Sequence, residues 1–185
     1  MADDAAVQNC PDLTVPVTAR DHIQGLVSAP VLLVEYGDYE CPDCLNAWPV
    51  VQALQQALGE RLAFVFRHFP MSSVHPHASY AAQAAEAAAG QGKFWQMHDQ
   101  LFANQKELAS LDLTHLALTM GMEVYRFETA LESEANVRRI REDSLSALDS
   151  GVKGTPTFFI NGCRYRGKVD AASLLLEIQS QLAKL

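Results

Sequence analysis

The run Val31-Leu32-Leu33-Val34-Glu35-Tyr36 leads within five residues to Cys41-Pro42-Asp43-Cys44, and beyond that pair apolar residues recur every three or four positions. No other feature limits the fold as much. The branched apolar run has the composition of a buried strand. From Cys44 to Leu58, the side chains of Leu45, Trp48, Val51, Leu54 and Leu58 share one side of an amphipathic helix whose first turn carries the cysteines. Pro42 suits a helix N-terminus. Leu62–His68 reads as a second strand. The segment is β-α-β, with two cysteines where a strand meets a helix.

The remainder extends this pattern. Residues 1–20 are polar and irregular, with Pro11 and Pro16, and read as a loose arm. Residues 20–25 suit a short edge strand. The alanine-rich stretch 78–89 is a strong helix former ended by Gly90 and Gly92. Further helices are expected near 93–108, 113–120, 124–131 and 134–149. None of them shows a heptad seam or a repeat. Thr157–Ile160 precedes Asn161-Gly162, a hairpin signal, so Cys163–Arg166 is the returning strand. Leu174, Leu175, Ile178 and Leu182 mark a closing helix.

Composition excludes several classes. Apolar residues make up 49 % of the 185 and charged residues 19 %, which is enough for a core and too apolar for global disorder. The formal charge of −8 argues against a sequence-independent grip on nucleic acid or anionic lipid. No apolar run reaches the roughly 20 residues of a membrane span. The N-terminus has neither a basic nor an apolar signal region, so the chain as written is expected in the cytoplasm, or in the periplasm if an export signal has been removed.

Four cysteines are too few for a disulfide scaffold of this length. A CxxC serves either as half of a zinc site or as a redox dithiol. Zinc needs four ligands, and there is no second CxxC; His75 and His77 lack a knuckle-like arrangement. No metal is expected here. Position favours the redox reading, because a thiol at a helix N-terminus faces unsatisfied N–H groups and the positive end of the dipole, which stabilise its thiolate. Cys44, three residues on, is placed to resolve a mixed disulfide. Thr155-Pro156, ahead of a strand, is either a cis-proline or an ordinary turn. Glu35, inside an apolar strand, is either a buried acid able to exchange a proton with Cys44 or a solvated residue at a strand end.

Taken together, Val34–Cys44, Arg67-His68-Phe69-Pro70, Gln91–Trp95 and Gly151–Gly162 resemble the DsbA-like thioredoxin-fold oxidoreductases. The resemblance runs from about Asp21 to the C-terminus. It implies an α/β protein, a thioredoxin-like core (21–70 and 150–185) with an all-helical insertion (71–149) and an N-terminal arm (1–20). It also implies thiol–disulfide exchange on protein substrates, a redox recycling partner and no cofactor. By the same resemblance Cys41 is the exposed nucleophile, Cys44 the resolving thiol and Glu35 the buried acid. Pro156 is the cis-proline facing the disulfide, and Thr155 the residue whose backbone pairs with an incoming peptide.

Pro42-Asp43 departs from the histidine many such oxidases carry between the cysteines. A carboxylate beside Cys41 disfavours a second negative charge, so Asp43 is expected to raise the Cys41 pKa above that of strongly oxidising members. Two other functions remain open: a redox-switched binding or chaperone module, and a kappa-type glutathione-dependent enzyme. Cys163 is expected to be a free buried thiol; a structural disulfide between Cys10 and Cys163 is the alternative, disfavoured in a reducing cytosol, and an exposed Cys10 would form dimers on oxidation. His68, His75, His77 and His98 are expected to be structural, Trp48 and Trp95 to pack, and Arg138, Arg139 and Arg141 to form a solvated helix face.

Overall fold

A computed structural model describes residues 12–183. Among these, one sheet runs in the order β1-β3-β2-β4-β5: β1 (His22–Gln24), β3 (Leu62–His68), β2 (Val31–Gly37), β4 (Thr157–Ile160) and β5 (Cys163–Arg164). Strands β2 and β3 are parallel and joined through α1 (Pro42–Leu58); the other pairings are antiparallel. The central strands explain the apolar runs, since every residue of β3 is buried, as are six of the seven in β2. Five helices separate β3 from β4 in the chain: α2 (Ala78–Ala89), α3 (Phe94–Ala103), α4 (Leu113–Thr119), α5 (Val124–Leu131) and α6 (Glu134–Asp149). Helix α7 (Ala171–Leu182) closes the described chain.

Strand alternation assigns the faces. Leu33, Phe64, Phe66, Phe158 and Ile160 point toward α1, α7 and the helices α2 to α5, in one continuous apolar cluster. Val34, Tyr36, Val65 and Phe159 point the other way, against Ala147 of α6 and Val152. Glu35 shares parity with Leu33, so the pleat turns it toward α1.

Helix α1 begins at Pro42, where the sequence places its start, with Cys41 as its N-cap in extended conformation. Other boundaries differ from those expected. Helix α3 stops at Ala103 and a single 3₁₀ turn, Gln105–Glu107, follows. The returning strand β5 has two residues, not four.

The described part of the arm is anchored rather than loose. Leu13 N donates to Gly162 O, Thr14 N to Ser150 Oγ, and the buried Arg67 guanidinium to the carbonyls of Val15 and Pro16. The arginine cluster of α6 also divides. Arg138 and Arg141 are exposed, whereas Arg139 turns inward to Asp143 (3.2 Å) and Asp21 (3.8 Å).

Candidate active site

The dithiol sits where β2, α1 and the turn before β4 converge. The antiparallel register pairs Glu35 with Phe158 and Tyr36 with Thr157. That pairing sets Pro156 level with Gly37, the last residue of β2. The Thr155–Pro156 peptide bond is cis, and the Cys41 thiol donates to Thr155 O at 3.2 Å. Thr155, Pro156 and the dithiol are thus brought together from positions more than a hundred residues apart.

The two thiols are treated oppositely by their surroundings. Cys41 is pushed down to about 5. The largest cause is the hydrogen bond from the Cys44 thiol; burial opposes it, and the Thr155 side chain and the backbone N–H groups of Cys44 and Asp43 add to the lowering. These N–H groups are unpaired donors of the first helical turn, available because a helix begins here. Cys44 is fully buried and is held well above the ordinary thiol range, first by desolvation, then by its bond to Cys41 and by the negative charges of Glu35 and Cys41.

Asp43 reaches Cys41 through its backbone. Its side chain is exposed, where solvent and salt screen a carboxylate, and its contribution to Cys41 is a backbone N–H that lowers the pKa.

Glu35 is 2 % exposed, and its Oε1 has no hydrogen-bond partner. Burial, reinforced by the charge on Cys41, pushes its pKa up to about 8. It also borders a cavity of about 80 Å³ lined by Trp48, Gln52, Gln55 and Asp99. Trp48 packs, as expected, but its indole N–H also donates to Asp99 Oδ1 at 2.9 Å.

Sequence reasoning missed the support beneath the dithiol. Asp38 Oδ2 accepts from His75 Nδ1 and from Met71 N, each at 2.8 Å. Two residues on, Glu40 accepts from His77 Nδ1 at 2.9 Å and from His77 N at 2.6 Å. Two acids just before Cys41 thereby hold the loop between β3 and α2. Gln105 Nε2 donates to the carbonyls of Tyr39 and Cys41, each at 2.9 Å, fixing the cap of α1 from the far side.

Burial pulls the His75 pKa down, but the bond to Asp38 and the negative charges of Asp38 and Cys41 carry it up on balance. The motifs Asp38-Tyr39-Glu40 and His75-Pro76-His77 share a spacing of two, which is the sole sequence trace of the clamp.

Cys163 is disulfide-bonded, not a free thiol, and is only partly buried. Cys10 lies outside the described residues. Cys41 and Cys44 are free.

Comparison with known proteins agrees with this geometry. A family model described as thioredoxin matches residues 18–179. The alpha-DsbA1 of Wolbachia pipientis superimposes with a TM-score of 0.80 at 20 % identity, covering 94 % of this chain and 96 % of that one. A thioredoxin-like oxidoreductase from Silicibacter pomeroyi does so with 0.75 at 26 % identity, covering 91 % and 95 %. In sequence, the Na(+)/H(+) antiporter NhaA 1 of Salinispora arenicola is 45 % identical over 173 residues, which are 93 % of this chain and 26 % of that protein. The chain therefore spans about a quarter of the length of the curated relatives it matches.

Proposed function

Since the chain belongs to the thioredoxin family and carries the fold of its DsbA-like members, we propose that it is a thiol–disulfide oxidoreductase acting on proteins through Cys41 and Cys44. The observation that carries this reading is the split between two adjacent thiols, Cys41 pushed down to about 5 and, at 6 % exposure, buried and not exposed as expected, and Cys44 wholly buried and held protonated.

In the reducing direction, the Cys41 thiolate attacks one sulfur of a substrate disulfide. The substrate S–S bond breaks and its other sulfur leaves as a thiolate that takes a proton from solvent. Cys41 is then neutral in a mixed disulfide, so the charge that helped raise Glu35 is gone. The Glu35 carboxylate becomes accessible near neutrality and takes the Cys44 proton. The Cys44 thiolate attacks Cys41 Sγ, the second substrate thiolate leaves, and two electrons have passed from the dithiol to the substrate. Oxidation of a substrate dithiol is the same sequence reversed. The cavity beside Glu35 has room for water able to carry the proton onward.

A Cys41 pKa of about 5 lies between the roughly 7 of thioredoxin and the roughly 3.5 of DsbA. This supports an intermediate redox poise, because stabilising the thiolate stabilises the reduced form. The disulfide at Cys163 supports an oxidising compartment in place of the cytoplasm expected above. The transport named in the antiporter relatives is not carried over. No helix among the described residues is long and apolar enough to cross a membrane.

The test is trapping. Cys44→Ser should accumulate a covalent complex with a disulfide-bearing substrate that dithiothreitol releases. Cys41→Ser should form none and lose turnover. Turnover retained in Cys41→Ser would overturn the proposal.

A further inference from the structure

Behind the dithiol, on the side of the sheet facing the helices, two imidazoles converge on one carboxylate. His22 Nε2 lies 2.7 Å and His68 Nε2 2.9 Å from the same Glu86 oxygen. All three ligand atoms fall within 4.8 Å of one another. The residues come from three elements: His22 opens the edge strand β1, His68 ends β3, and Glu86 sits in the middle of α2. We propose that His22, His68 and Glu86 form a binding site for a divalent cation of the zinc class, separate from the dithiol.

Three observations carry this. The donor set is two imidazoles and one carboxylate, which suits zinc and its first-row neighbours and not the oxygen-only shells of calcium or magnesium. The rings are held in place by packing. His22 lies flat on Phe94 with centroids 3.5 Å apart and planes 8° apart, and His68 meets Phe94 edge-on at 5.9 Å and Phe66 edge-on at 5.6 Å. An apolar collar of this kind orients ligands and keeps competing water away.

The site also has one open side. His68 and Glu86 are buried, while the His22 side chain retains 15 % of its surface, so an ion can enter past the edge strand. Zinc bonds of about 2.0–2.2 Å place tetrahedral ligand atoms about 3.3 Å apart. The His22–Glu86 and His68–Glu86 separations of 2.7 and 2.9 Å must both widen by about half an ångström; the three-residue strand β1 can yield at His22, and the Glu86 side chain must turn away from His68. Three protein ligands leave a fourth position toward that open side.

The consequence is mechanical. An ion would join the edge strand and α2 to the end of β3, where His68 pairs with Gly37 at the start of the dithiol turn.

The full-length chain carrying Cys41→Ser and Cys44→Ser, stripped with chelator, removes competition from the dithiol. Calorimetric titration with zinc should give one equivalent and a raised melting temperature. Cobalt(II) on the same protein should give visible d–d bands without thiolate charge-transfer absorption. Adding His22→Gln or Glu86→Gln should weaken zinc binding on the order of 100-fold, since even changes to residues that only support ligands cost about 10–100-fold. Circular dichroism checks that each variant is folded. Absence of stoichiometric binding, or binding in the variants as tight as in the parent, would overturn the site. If one variant fails to fold, the other and the cobalt spectrum of the parent still decide.

Discussion

At the scale of the residue, Glu35 shows how one strand position joins stability to chemistry. An acid with no partner for Oε1, inside the central strand, is costly when charged. Its native pKa of about 8 stands against 4.5 for the free group, so between those pH values the folded chain holds the extra proton. By linkage, the stability attributable to Glu35 is whole below pH 4.5 and is lost as pH rises through about 8. Urea midpoints of the reduced protein should therefore fall relative to those of Glu35→Gln across that window and then stay parallel. A constant offset would show that Glu35 is not buried as described. In single-turnover exchange the same variant should slow resolution of the mixed disulfide by roughly 10²-fold while leaving the first attack by Cys41 little changed, the scale expected of a lost proton acceptor.

Among the elements, the junction of β2 with α1 bears most of the constraint. Gly37 ends β2, and a Cβ there would clash with the edge of the Phe66 ring at Cε2 and Cζ and lie 3.1 Å from Glu35 Oε1. The closeness is imposed by the parallel register, which sets β3 directly beside β2 with Phe66 opposite Glu35. Gly37→Ala should cost about 1–3 kcal/mol, the usual range for overpacking a filled core. Equilibrium denaturation would measure it; an unchanged midpoint would mean that β2 and β3 separate more easily than their packing implies. Helix α1 depends on the same junction. Its buried residues Cys44, Ala47, Val51, Leu54 and Leu58 follow helical spacing, and that stripe keeps its N-terminal N–H groups beneath Cys41.

For the whole molecule, the buried Arg67 ties distant segments together. Its guanidinium donates to Asp21 Oδ1 at 2.7 Å, to Tyr36 Oη at 3.0 Å and to the carbonyls of Val15 and Pro16. Burial tends to raise the Asp21 pKa, but the bonds and charge of Arg67 bring it below the ordinary value on balance. Stability from that pair is therefore present above the unfolded value of 3.8 and is lost as pH falls through the lower native one. Removing one member of a buried pair strands the other, so Arg67→Ala should cost about 3–5 kcal/mol. It should also expose residues 12–20 to proteolysis before the remainder unfolds. Global unfolding without early cleavage of the arm would show that the arm is held by other contacts.

The β-α-β start, the helix at 78–89, the hairpin at Asn161-Gly162 and the dithiol at a helix N-terminus were all legible in the sequence. Each rests on local physics: side-chain periodicity, alanine propensity, turn geometry and the unpaired N–H groups of a first helical turn. The clamps of Asp38 on His75 and Glu40 on His77, the bond of Gln105 to the cap of α1, and the meeting of His22, His68 and Glu86 were not legible. These partners stand between 18 and 66 residues apart and come together only when the helices fold back over the sheet. Even the sense of Asp43 was decided by the tertiary structure. Sequence shows a carboxylate next to a thiol, whereas the fold turns that carboxylate into solvent and presents its backbone N–H to the sulfur. Local sequence determines which conformation a segment prefers; which charges meet, and in what dielectric, depends on how the segments pack.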